Sequence, residues 1–103
     1  MLASALFVSL YLLQGHDFVA KDIFSESDPY VIIKCGAYKF SDRDKYHLDD
    51  PNPKFNTVHK FEVDFPGAPT LELSFYDFDD LFSDELIGKT TIDLDDRFYN
   101  PEW

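Results

Sequence analysis

Polar and apolar positions alternate most cleanly between His59 and Phe65, where Phe61, Val63 and Phe65 interleave with Lys60, Glu62 and Asp64. A period of two predicts a strand with one buried face. Leu71, Leu73 and Phe75 repeat the pattern, and residues 87–94 are read as a further strand. Tyr30 to Cys35 is apolar except at Lys34 and β-branched at Val31, Ile32 and Ile33, which predicts a buried strand. Gly36 ends it, and residues 37–41 are expected to return as its hairpin partner. Residues 1–13, MLASALFVSLYLL, lack a basic leader and fall short of the ~20 residues of a bilayer span. They are read as a buried first strand. Pro51, Pro53 and the Pro66-Gly67-Ala68-Pro69 run mark loops, while the tail from Asp95 shows no clear period. About six strands with no convincing amphipathic helix predict an all-β antiparallel β-sandwich, one domain over residues 1–103.

Composition supports a folded module, with 45% hydrophobic and 17% aromatic residues. Twenty acidic against nine basic side chains give a net charge of −11, which excludes a nucleic-acid partner because no basic stripe exists to meet phosphates. The same charge opposes simple adhesion to anionic lipid unless a metal inverts it locally. Cys35 is the single cysteine, so the chain forms no internal disulfide.

The candidate chemistry lies in residues 75–88, FYDFDDLFSDELIG, where Asp77, Asp79, Asp80, Asp84 and Glu85 place five carboxylates in nine positions. Two like charges ~4 Å apart repel by about 1 kcal/mol in bulk water and several-fold more near protein, so a multivalent cation would relieve such a loop. Asp77 and Asp79 are two apart, so on extended backbone both side chains point the same way. Leu81 and Phe82 interrupt the acids where a solvated turn would carry Gly, Asn or Ser. An EF-hand is excluded by spacing, since counting from Asp77 the sixth residue is Phe82 and the twelfth Gly88. His16, His47 and His59 have no ligand spacing, and no nucleophile elbow, phosphate loop or Cys-His pair is present. An enzyme is not expected.

Taken together, DIFSESDPYVIIK and FYDFDDLFSDELIGKTTIDL resemble the C2 domain, the calcium-dependent phospholipid-binding sandwich. One Asp stands six positions before the Asp of an SDPY motif, and a later D-x-D follows a strand and precedes a fifth carboxylate and an IG. The SDRDKY stretch, NPKF, SDELIG and IDLDDRF make the chain most similar to a C2 domain of the ferlins. The resemblance implies a C2-like Greek key and a Ca2+ cup whose metal ligands are Asp22, Asp28, Asp77, Asp79 and Glu85, with Asp84 a further candidate ligand. It also implies membrane insertion by Ile23 and Phe24 on one loop tip and Leu81 and Phe82 on the other. The function then expected is calcium-dependent binding to anionic phospholipid membrane, at a cytoplasmic peripheral membrane face, within a larger trafficking, fusion or repair protein. The alternative is a calcium-independent C2-like module that docks protein partners or neighbouring domains. Two departures stand out: Glu85 replaces a customary Asp, and Phe82 stands where some members carry Ser. A C2 fold has eight strands, so the closing C-terminal strands are expected to be missing and the domain to be C-terminally truncated.

Overall fold

The computed structural model describes residues 4–16, 18, 27–79 and 82–99. Among these residues the chain forms six strands and one short α-helix: β1 (Ser4–Gln14), β2 (Pro29–Cys35), β3 (Tyr38–Ser41), β4 (Lys54–Phe65), β5 (Leu71–Asp77), β6 (Glu85–Ile92) and α1 (Leu94–Tyr99). A single turn of 3-10 helix covers Arg43–Lys45. β1 pairs with β4, and the second sheet has the order β3-β2-β5-β6. All pairings are antiparallel. The antiparallel sandwich expected from the alternation is therefore the observed fold.

Its core lies between the two sheets. Val31, Ile33, Leu71 and Leu73 face Phe61, Val63 and Phe65, all buried, and Leu94 of α1 closes one end. His59 is buried among them, a polar group that burial penalises unless it is hydrogen-bonded. Both ring nitrogens are paired, Nδ1 with the Tyr38 hydroxyl at 2.8 Å and Nε2 with the Thr57 hydroxyl at 2.9 Å.

Four local expectations are corrected. The first strand was expected to be buried, yet Phe7, Tyr11 and Leu13 are exposed and Leu6, Val8, Leu10 and Leu12 only half-buried. Among the described residues β1 has a single strand neighbour, β4, so one sheet edge and the outer face lack cover. β4 begins at Lys54 rather than His59. Asn56 has φ 48°, and the register slips between Leu12 and Gln14, which marks a bulge in the β1-β4 ladder. The irregularity hides the strand's first half, and Val58 points outward and is exposed. β6 runs from Glu85 to Ile92, earlier at both ends than expected. The acidic tail contains a helix: the Asp96 N–H donates to Oδ1 of Asp93 at 3.1 Å, capping α1, and Phe98 stacks on Phe65 with ring centroids 4.6 Å apart. The Asp95 carboxylate accepts from the N–H groups of Gly67 and Ala68, tying α1 to the turn between β4 and β5.

Candidate metal and membrane site

Three strand ends bring the acidic segments to one pole. Pro29, the first residue of β2, is registered with Asp77, the last of β5, and Asp77 is registered in turn with Glu85, the first of β6. Asp28 therefore precedes β2 where Asp77 and Phe78 leave β5. The connection is made twice: the Asp28 N–H donates to Oδ1 of Asp77 at 2.9 Å, and the Phe78 N–H to the Asp28 carbonyl at 2.9 Å. Asp77 is buried and Glu85 exposed. Directly opposed like charges on neighbouring strands repel, so this ladder end is electrostatically loaded.

A further acid joins from residues 41–53, which the sequence pattern presents as a plain polar loop. The Asp49 N–H donates to Oδ1 of Asp28 at 2.7 Å, with Asp49 in a left-handed conformation at φ 49°. Burial pushes the Asp28 carboxyl up from its usual range, and the charges of Asp49 and Asp77 add to the rise against the opposing Asp49 amide. The signal in the sequence was the Asp49-Asp50 pair before Pro51, which local pattern alone cannot bring to Asp28.

Of the described residues of the loop, Asp79, Phe82 and Asp84 are linked to one another, and Asp84 also to Tyr30 and Arg43. The Phe82 N–H donates to Oδ1 of Asp79 at 3.0 Å, and the Asp79 N–H to Oδ1 of Asp84 at 2.9 Å. Oδ2 of Asp84 accepts from the Tyr30 hydroxyl at 2.5 Å and from Nε of Arg43 at 2.7 Å. Burial works to raise the Asp84 carboxyl, but its hydrogen bonds from Arg43, Tyr30 and the Asp79 amide outweigh it and hold Asp84 below the usual carboxylate range. Burial, with the neighbouring Asp84, pushes the Tyr30 phenol up to about 12. Phe82 stands 78% exposed at the tip. Asp22, Ile23, Phe24 and Leu81 lie outside the described residues.

Among the described residues Asp28, Asp77, Asp79 and Glu85 bring carboxylate oxygens to this pole, which is the donor chemistry of a hard divalent cation. Among the described residues no group of three or more His, Cys, Asp or Glu side chains is arranged to hold a metal ion. The fit lies in the donor type and in the unrelieved repulsion at Asp28 rather than in a completed cage. No helix among the described residues is long and apolar enough to cross a membrane.

The family model for the C2 domain matches residues 7–102. This chain belongs to the C2 domain family. The ferlin likeness appears among its relatives. Myoferlin of Xenopus tropicalis is 37% identical over 91 residues, which is 88% of this chain and 5% of that protein. Fer-1-like protein 4 of Mus musculus is 34% identical over 95 residues, 92% of this chain and 5% of that one. The C2 chain thus spans about a twentieth of the length of these curated relatives. Among solved structures, a calcium-bound pair of C2 domains from extended synaptotagmin 2 superposes with a TM-score of 0.76 at 26% identity, covering 85% of this chain and 34% of that one. Human GIVD cytosolic phospholipase A2, in complex with methyl gamma-linolenyl fluorophosphonate, gives 0.77 at 27% identity, covering 90% of this chain and 14% of that one.

Proposed function

We propose that this C2 domain is a calcium-dependent phospholipid-binding module that attaches a larger ferlin-like protein to anionic membrane. The observation that carries the reading is the meeting of Asp28 and Asp77, 49 positions apart, at the pole where Asp79 and Glu85 also emerge. Asp22, Asp28, Asp77, Asp79 and Glu85 would hold Ca2+. The ion supplies positive charge and open coordination positions that lipid phosphates can fill. This chain's own contribution is to converge the carboxylates, orient them and present apolar tips. Phe82, with Ile23, Phe24 and Leu81, would enter the interfacial region of the bilayer, each adding about 1–2 kcal/mol for partial burial. The relative solved with calcium bound supports the reading by likeness of fold.

The test is co-sedimentation with vesicles of phosphatidylserine and phosphatidylcholine, in calcium and in chelator. The parent should pellet in calcium alone, and the Asp77→Asn/Asp79→Asn double variant should stay in the supernatant. Equal pelleting of parent and variant would end the metal-bridge mechanism.

A second reading is favoured by one observation. Phe7, Tyr11 and Leu13 of β1 and Val58 of β4 form an exposed apolar row on the outer sheet face, on which a protein partner could dock without calcium. Melting temperature separates the two, because a ligand of the native state must raise it. No rise at millimolar free calcium would favour the docking reading.

A further inference from the structure

Asp84 stands among the acids of the loop, and protein donors surround its carboxylate. A carboxylate offers about four acceptor sites, and protein donors reach all of them on Asp84. Oδ2 takes the Tyr30 hydroxyl and Arg43 Nε, while Oδ1 takes the Asp79 N–H and, at 3.4 Å, Arg43 Nη2. The side chain is 11% exposed, and the guanidinium neutralises its charge. Arg43 also sits 4.7 Å from the centre of the Phe78 ring, on which Tyr46 stacks with centroids 4.0 Å apart. Phe78 lies between Asp77 and Asp79, so the residues that engage Asp84 also grip the segment carrying both acids.

We propose that Tyr30, Arg43 and Asp84 form a clasp that positions residues 77–79 before any cation arrives, and that Asp84 is a positioning residue rather than a ligand. Each end of the clasp is anchored on a different part of the fold. Tyr30 belongs to β2, where its ring stacks on Tyr76 of β5, and Arg43 begins the 3-10 turn after β3. The loop between β5 and β6 is thereby referred to three elements, and the Asp79 main chain is fixed by a charged acceptor. The consequence for affinity rests on the cation-binding reading above.

Two measurements test it. In metal-free protein the Asp79 amide should be protected from hydrogen exchange, and Asp84→Ala should lose that protection and Tyr30→Phe weaken it, while both keep the parent's circular dichroism. In calcium titrations Tyr30→Phe, which changes no charge, should bind about tenfold more weakly, the usual effect of removing an outer-shell support. Arg43→Gln gives the decisive sign. Were Asp84 a ligand, freeing it from Arg43 would tighten binding; positioning predicts weaker binding that persists in about 1 M salt, where the screening length is about 3 Å. An unprotected Asp79 amide in the parent, or unchanged or tighter calcium binding by Tyr30→Phe and Arg43→Gln, would overturn the proposal. A parent that shows the protected amide but binds no calcium would overturn the cation reading and the affinity consequence while leaving the clasp established.

Discussion

The main-chain N–H of Asp28 and the carboxylate of Asp77 form one hydrogen bond of 2.9 Å that joins the entrance of β2 to the exit of β5. It orients Asp77 and brings the Asp28 side chain, already disfavoured as an anion by burial, under the influence of Asp77 and Asp49, whose charges act in the same direction. Structure and charge conflict at this point, and the conflict is measurable.

Asp28→Asn should stabilise the metal-free protein near pH 7. A carboxyl whose folded pKa is raised above its ordinary 3.8 contributes stability below that pH and loses it as pH rises through the folded value, so ionised Asp28 is a cost at neutrality. Asn keeps an oxygen for the Asp49 N–H and removes the charge. Thermal melts in chelator should show the variant above the parent at pH 7 and the gap closing below about pH 3.8. The same variant should lose the calcium-induced rise in melting temperature.

His59 should make the parent acid-sensitive. Burial lowers its pKa from 6.5, with Asp42 working in the opposite direction. For a depressed folded pKa, stability is fully present above the unfolded value and declines as pH falls from about 6.5 through the folded one. His59→Gln should remove that decline, so the two melting curves should diverge only below about pH 6.5. Parallel curves between about pH 7 and pH 5 would show that the ring's protonation carries no stability.

Removing the cap of α1 should cost about 1 kcal/mol. Asp93 accepts the Asp96 N–H, and loss of such a cap typically costs about 0.5–2 kcal/mol. Urea denaturation of Asp93→Ala should show a lower midpoint at unchanged slope. Leu94→Ala, which also empties a buried position, should cost more, about 2–5 kcal/mol.

Phe82 is exposed and makes no demand on the core, so Phe82→Ser should leave the melting temperature unchanged. Partition into phosphatidylserine vesicles in calcium should weaken by about tenfold, the equivalent of about 1.4 kcal/mol of lost apolar burial. Equal partition of Phe82→Ser and parent would place the membrane contact elsewhere.

Much of the fold was legible because it depends on short-range periodicity. The alternation from His59 to Phe65 and the β-branched run in β2 were read directly, and both form core strands. Where the pattern misled, the deciding information was not local. The first half of β4 is disguised by the left-handed Asn56, and the burial of β1 depends on neighbours that its own residues cannot specify. The helix had a local signal that the acids masked. Leu94 and Phe98 are four apart, and Asp93 stands at the cap, but a run of carboxylates obscures that period. At the acidic pole, D-x-D and SDPY marked Asp28, Asp77 and Asp79, whereas Asp49 and Arg43 arrive through tertiary contacts. Arg43 in particular sits in an SDRDKY stretch whose charges alternate, which gives no sign that its partner is Asp84, 41 residues away.

The bare row of Phe7, Tyr11 and Leu13 has a colloidal consequence. In dilute buffer a net charge of −11 keeps copies apart, but added salt shortens the range of that repulsion while strengthening hydrophobic attachment between uncovered strands. The protein should therefore clump as ionic strength rises, and Phe7→Lys should widen the range of salt over which it stays clear.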